Sequence, residues 1–78
     1  MTDDAKLLER IVTDARICGG RPTVRGTRIR VSDVLEMLGS GMSVPEIVGD
    51  FPELSGDDVR AVATYAARAL SHPVIKAA

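Results

Sequence analysis

The chain has 78 residues, of which 45% are hydrophobic and 27% are charged, and its formal net charge is −1. This length predicts a single domain over residues 1–78, and the composition excludes a wholly disordered chain. The single cysteine and single histidine exclude an intramolecular disulfide and a tetrahedral zinc site built by this chain alone.

Two features of the sequence predict a cytoplasmic protein that does not enter the membrane. The N-terminus carries Asp3 and Asp4 where a secretory signal needs positive charge. No apolar run reaches the roughly 20 residues of a membrane span.

Residues 1–31 are predicted to form an N-terminal helix or strand followed by an arginine-rich β element. Residues 3–12 begin with acids and then place apolar residues at helical spacing, although residues 10–13 fit a strand equally well. Further along, β-branched residues at 23–24 and 28–31 flank Gly26, and Pro22 suits the start of an edge strand. This pattern predicts a small hairpin or two edge strands.

The most strongly charged part of the chain is the segment of residues 15–32, which holds five arginines and no acid. Subtracting +5 from the net charge of −1 leaves −6 for the other residues. A concentrated cationic element predicts contact with a polyanion or with an acidic protein. The structural alternative is pairing with acids of the same chain or of a second copy, such as Glu36, Glu46 or Asp50. The five are Arg16, Arg21, Arg25, Arg28 and Arg30.

Three helices are predicted over residues 32–71. Ser32, Ser43 and Ser55 are the expected N-caps, and the latter two begin capping boxes because Glu46 and Asp58 follow three residues later. The third helix is expected to reach about residue 71, and residues 72–78 to form a loose tail. The predicted fold is mainly α: a three-helix, helix-turn-helix bundle preceded by a short β hairpin.

The third helix takes the place of a recognition helix in this layout. Arg60, Thr64 and Arg68 follow at i, i+4 and i+8 and share one face, which predicts contacts with bases or flanking phosphates. Asp57 and Asp58 at its N-terminal end oppose this interpretation, because two carboxylates repel phosphates. The alternative for this helix is therefore a capped and solvated face.

Residues 20–29, Gly-Arg-Pro-Thr-Val-Arg-Gly-Thr-Arg-Ile, resemble the G-x-P-x-I-x-G-T-R-I signature of the domain-of-unknown-function-433 family. Phe51-Pro52 and Asp58-Val59 extend the resemblance, which covers about residues 11–70. It implies a homeodomain-like or winged-helix-like fold. It also implies a VapB-like antitoxin that binds its own promoter and neutralises a PIN-domain-type ribonuclease toxin. The motif residues expected to have structural roles are Gly20, Pro22, Gly26, Thr27 and Arg28, with the Arg28 guanidinium bonded to backbone carbonyls.

The predicted function is that of a DNA-binding antitoxin of a type II module, acting as a homodimer on double-stranded DNA. Arg16, Arg21, Arg25 and Arg30 are expected to contact phosphates. The same arginines also suit the acidic active site of a PIN-type nuclease. The alternative is a protein-interaction and dimerisation module that docks on an acidic partner without binding DNA. No catalytic residue, metal or cofactor is expected, because the carboxylates at helix starts are explained by capping.

Overall fold

The structure is a computed structural model that describes residues 2–71, and it is mainly helical with a small antiparallel sheet. No helix in this described part is long and apolar enough to cross a membrane. The predicted tail at 72–78 lies outside the described residues. In chain order the elements are helix α1 (Thr2–Leu8), strand β1 (Ile11–Val12), a 3-10 turn (Cys18–Gly20), strand β2 (Thr23–Val24), and helices α2 (Val31–Gly39), α3 (Val44–Asp50) and α4 (Gly56–Ala69).

Helices α3 and α4 begin at the predicted capping boxes. The Ser43 hydroxyl accepts from the Glu46 N–H at 3.2 Å, and the Glu46 carboxylate accepts from the Ser43 N–H at 2.8 Å. Ser55 and Asp58 repeat this exchange at 3.2 and 2.9 Å. Each box satisfies two backbone donors that would otherwise lack partners, so both predicted helix starts are confirmed.

The prediction for the start of α2 was wrong, because its N-cap is Arg30 and not Ser32. The Val31 N–H donates to the Pro22 carbonyl at 2.9 Å, which fixes the entry of the chain into the helix. The Asp33 carboxylate then accepts from the Arg30 backbone N–H at 3.1 Å and from its guanidinium at 3.1 and 2.9 Å. Ser32 is left exposed in the first helical turn.

The sheet also differs from the predicted hairpin in the identity of one strand. β2 pairs with β1, with Ile11 opposite Val24 and Val12 opposite Thr23. Residues 28–31 form no strand, although they pair with residues 22–24 as the predicted hairpin does, through an isolated antiparallel bridge between Thr23 and Arg30 and the flanking backbone hydrogen bonds to Ile29 and from Val31. They cannot extend the sheet further because Arg30 caps a helix and Val31 begins it. Residues 3–12 were predicted to form a helix or a strand, and they contain both: α1 ends at Leu8, and β1 follows at Ile11–Val12.

The core lies between α2, α3, α4 and β2. Its most buried side chains are Val24, Val34, Ile47 and Val62, which are at most 1% exposed. α1 packs along α4 and buries Leu7. Ala61 of α4 is also fully buried.

Two glycines near α3 predict stability changes of opposite sign. Gly41 has φ of +99°, so Gly41→Ala should lower the free energy of unfolding by about 1 kcal/mol, since a Cβ disfavours this region. Gly49 lies in α3, and an added Cβ would meet no heavy atom within 4 Å, so Gly49→Ala should raise it by about 0.5–1 kcal/mol. Urea unfolding followed by circular dichroism measures both variants, and equal effects of the two would contradict the assigned backbone conformations.

Candidate nucleic-acid interface

The arginine loop, residues 21–28, includes β2 and the turn that follows it, and this turn is braced by hydrogen bonds. The Val24 N–H donates to the Ile29 carbonyl at 2.9 Å, which closes the loop. Within it, the Thr27 hydroxyl donates to the Val24 carbonyl at 2.8 Å and accepts from the Ile29 N–H at 3.0 Å. Gly26 has φ of +80°, a conformation that favours glycine. These bonds hold Arg25 and Arg28 on either side of a fixed turn.

The base of the loop is anchored on both sides. The Arg25 N–H donates to the Arg10 carbonyl at 2.7 Å, which joins the loop to the chain just before β1. The Pro22 carbonyl accepts from the Val31 N–H, which joins the loop to α2. Gly20 has φ of +85°, a conformation that favours glycine, and a Cβ there would make an ordinary contact of 3.7 Å with the Cα of Ala15. The loop backbone is therefore fixed at several points, and its arginine side chains extend from a defined frame.

The loop presents three exposed guanidinium groups, those of Arg21, Arg25 and Arg28. None of the three forms an ion pair with an acid among residues 4–71. Within the described residues the Arg28 guanidinium also donates no hydrogen bond, which corrects the expectation that it binds backbone carbonyls. The Thr27 hydroxyl already satisfies the Val24 carbonyl, and Arg28 contributes only its own carbonyl, which accepts from the Cys18 thiol at 3.4 Å.

Arg16 and Arg30, the other two arginines of the segment, are paired with acids close to them in sequence. Arg16 forms a bidentate pair with Asp14 at 3.0 and 2.9 Å, and Arg30 does the same with Asp33. The acids proposed for such pairing, Glu36, Glu46 and Asp50, are not their partners. An acid two or three residues from an arginine is within reach of its side chain whatever the tertiary fold of the chain. Asp14 and Asp33 therefore form the pairs.

These pairs shift the pKa values of their members. The guanidinium of Arg16 lowers the pKa of Asp14 and that of Arg30 lowers the pKa of Asp33, while both arginine pKa values rise. A carboxyl group with a lowered pKa stabilises the folded chain above its unfolded pKa. That contribution is lost as the pH falls through the lower, folded pKa. Both pairs are therefore intact at neutral pH and weaken only in acid.

The α4 face predicted to contact bases lies beside α1. Arg68 pairs with Asp4 of α1 at 2.7 Å, and Arg60 pairs with Asp57 at 3.5 Å. Thr64, between them on this face, is half-buried. The three residues do share a side of α4, but its two cations are engaged. Arg10 links this face to the arginine loop, because its carbonyl accepts from the Arg25 N–H and its guanidinium lies 3.8 Å from Asp57, the partner of Arg60.

Comparison with known proteins places the sequence motif in a family. The profile of the family described as "Protein of unknown function (DUF433)" matches residues 11–66. The chain belongs to this family. A relative in Sinorhizobium fredii, called Uncharacterized protein y4eO, is 38% identical over 65 residues, which are 82% of this chain. Those residues are 29% of that relative, so this chain spans less than a third of its length.

A solved member of the family supports the fold of this DUF433 chain. The crystal structure of a DUF433 protein from Anabaena variabilis matches with a TM-score of 0.72 and 25% sequence identity. The match covers 86% of this chain and 67% of that one. The arginine loop and most of α4 lie within the residues matched by the family profile.

Arg10, which no sequence motif indicated, joins the N-terminal segment of the DUF433 fold to α4. The Arg10 guanidinium donates to the buried Asp58 carboxylate at 3.0 Å and lies 3.8 Å from Asp57. The local sequence predicts only a capping role for Asp58, because its ion-pair partner Arg10 is 48 positions away in the chain. The pair also neutralises one of the two carboxylates that oppose phosphate binding at the start of α4.

Proposed function

We propose that this DUF433 protein is a DNA-binding antitoxin that represses its own operon and neutralises a PIN-type nuclease. The observation that carries the DNA-binding part is the arginine loop, with three exposed guanidinium groups that have no acidic partner within residues 4–71. Phosphates, like carboxylates, accept two parallel hydrogen bonds from such planar, fork-shaped donors. The braced backbone favours this use, because little conformational entropy is lost when a preformed loop docks.

In the proposed complex, the arginine loop lies on the phosphate backbone and α3 and α4 form a helix-turn-helix. Arg21 and Arg25 make the leading phosphate contacts, joined by Arg28. Arg16 and Arg30 remain next to Asp14 and Asp33 and add less, since each pair is close to neutral. A homodimer presents two such loops to the two halves of a palindrome.

Base contacts from Arg60, Thr64 and Arg68 require a rearrangement at α4. Arg68 would have to leave Asp4 and Arg60 would have to leave Asp57. Both ion pairs are exposed, and such pairs contribute only about 0.2–1 kcal/mol, so their exchange for phosphate contacts requires little free energy. The proposal therefore assigns positioning on DNA to the arginine loop and sequence selectivity to this face.

The antitoxin part of the proposal is supported by the family resemblance and by the same unpaired arginines. The active site of a PIN-type nuclease is acidic and binds metal ions, so it complements a loop of this charge. The toxin is expected to be encoded beside this gene. Rescue of cell growth by co-expression with that neighbour tests this part independently of DNA binding.

Binding to the protein's own upstream DNA, compared with a scrambled duplex at two salt concentrations, tests the DNA part. Arg21→Ala combined with Arg25→Ala should weaken binding by about 10–100-fold and reduce the salt slope by about 2. Arg16→Ala combined with Arg30→Ala is the matched control, because it removes the same charge from two arginines of the same segment that are paired with acids. It should retain affinity within roughly threefold if the unpaired loop dominates.

A second candidate function is a protein-interaction module without a DNA role. Asp57 and Asp58 at the start of α4 favour it, as does the acidic remainder of the chain. Absence of binding to either duplex at low salt would select this function. Growth rescue that depends on Arg21 and Arg25 would then identify the toxin as the acidic partner.

A further inference from the structure

A groove lies between the arginine loop and the first turns of α2. Its volume is about 360 Å³, and it is lined by Arg21, Pro22, Val31, Ser32 and Leu35. The groove owes its position to the hydrogen bond between Pro22 and Val31, which holds the two segments side by side. The DNA contacts proposed above use only its rim residue Arg21, and the proposed helix-turn-helix of α3 and α4 contributes none of its lining.

The floor of the groove is apolar. Pro22 and Leu35 are half-buried, and Val31 belongs to the buried core beneath them. A volume of this size is at the lower end of the range for specific binding pockets, and it accommodates an aliphatic side chain with part of its backbone. A phosphate backbone has no apolar group to place on this floor, so duplex DNA does not suit it.

The rim of the groove is cationic. The Arg21 guanidinium is exposed and has no acidic partner within the described part of the chain, and the Ser32 hydroxyl lies beside the same cavity. The neighbouring carboxylate of Asp33 is hydrogen-bonded to Arg30, which is the main cause of its lowered pKa, and the charge of Arg21 lowers that pKa further without forming an ion pair. Glu36, one turn further along α2, is exposed and does not line the groove.

We propose that this groove binds an acidic segment of a partner protein, in which an aliphatic side chain is next to a carboxylate. The aliphatic side chain fills the floor formed by Pro22, Val31 and Leu35. The carboxylate accepts hydrogen bonds from the Arg21 guanidinium and the Ser32 hydroxyl. Charge complementarity selects an acidic segment, because a basic one would face Arg21 directly. This inference goes beyond DNA binding and does not require it.

The test is an NMR titration of the full chain, labelled with ¹⁵N, using the peptide acetyl-Glu-Leu-Glu-Glu-amide at low salt. The backbone amides of Val31, Ser32 and Leu35 should shift as the peptide is added. The same peptide with glutamine in place of each glutamate should bind at least about fivefold more weakly, since charge-assisted hydrogen bonds are roughly twice as strong as neutral ones.

Two variants and a control connect this binding to the groove. Ser32→Glu adds a carboxylate at the rim at a helical position that favours acids, so the chain stays folded and peptide affinity should fall roughly tenfold through like-charge repulsion. Arg21→Gln should lower it at least about fivefold by removing the charged donor. Arg25→Gln is the control, because Arg25 is also exposed and unpaired but does not line the groove.

The outcomes separate this inference from the DNA-binding proposal. Shifts confined to Arg25 and Arg28, or unchanged affinity in Ser32→Glu, would overturn the groove as the peptide site. If the glutamine peptide bound as tightly as the glutamate peptide, the groove would recognise only the aliphatic side chain, and the proposal of an acidic partner would be wrong. Loss of DNA binding in Arg25→Gln with peptide binding retained would support both assignments, whereas DNA binding unaffected by Arg25→Gln bears on the DNA proposal alone.

Discussion

Ile47→Ala should lower the free energy of unfolding by about 2–5 kcal/mol, the range for truncating a buried isoleucine. Ile47 is fully buried and packs in the core formed by α2, α4 and β2. The loss combines the transfer of the removed methyl groups with the cavity that remains. Domains have only about 0.05–0.15 kcal/mol of stability per residue, which is roughly 4–12 kcal/mol for 78 residues, so this change should remove a large fraction of the total.

Val44→Ala is the matched control for Ile47→Ala. Val44 is on the same helix, α3, but is 38% exposed, so its truncation should cost less than about 1 kcal/mol. Urea unfolding followed by circular dichroism, at one fixed protein concentration, measures both. A difference between the variants of less than about 1 kcal/mol would show that α3 does not bury Ile47 as described.

Asp58→Ala should lower the free energy of unfolding by about 2–3 kcal/mol, because it removes a helix cap and leaves a partly buried charge partner behind. One Asp58 oxygen accepts from the Ser55 N–H at 2.9 Å and the other from Arg10 at 3.0 Å. Asp57→Ala removes the same charge from the same helix end. Its side chain is 57% exposed and its ion pairs are longer, so its loss should be below about 1 kcal/mol.

A double-mutant cycle with Arg10→Ala separates the two roles of Asp58. The coupling energy between Arg10 and Asp58 should be about 1–2 kcal/mol, and the remaining effect of Asp58→Ala is the cap. The cycle requires the free energies of unfolding of four proteins, namely the parent chain, the two single variants and the double variant, measured by thermal or urea unfolding. Additive effects would show that the N-terminal segment is not joined to α4 through this pair.

The helical part of the fold was predictable because its signals are local. A serine followed three residues later by an acid satisfies backbone donors within one turn, whatever the rest of the chain does. Ser43 and Ser55 therefore marked the starts of α3 and α4 correctly. Ser32 failed because a tertiary bond decided the start of α2: the Pro22 carbonyl took the Val31 N–H, and the helix began at Val31.

The candidate site was predictable in composition but not in arrangement. The sequence showed five arginines without an acid among residues 15–32, and the structure keeps three of them exposed and unpaired within the part it describes. Arg28 was assigned a bracing role that belongs to the Thr27 hydroxyl. The local sequence does not distinguish Thr27 from Arg28, because either side chain could bind the carbonyls of this turn. Only the geometry of the loop shows that the shorter side chain, Thr27, makes these hydrogen bonds.

The sequence by itself determined the three helices after residue 31 and the concentration of positive charge before them, since capping, helical periodicity and charge depend on near neighbours. Only the tertiary structure decided that β2 pairs with Ile11–Val12, that Arg10 joins Asp58, and that α1 lies beside the face of α4 with Arg60 and Arg68. These contacts join residues distant in the chain. They form because burying β2, Leu7 and Ala61 requires partners that no local pattern specifies.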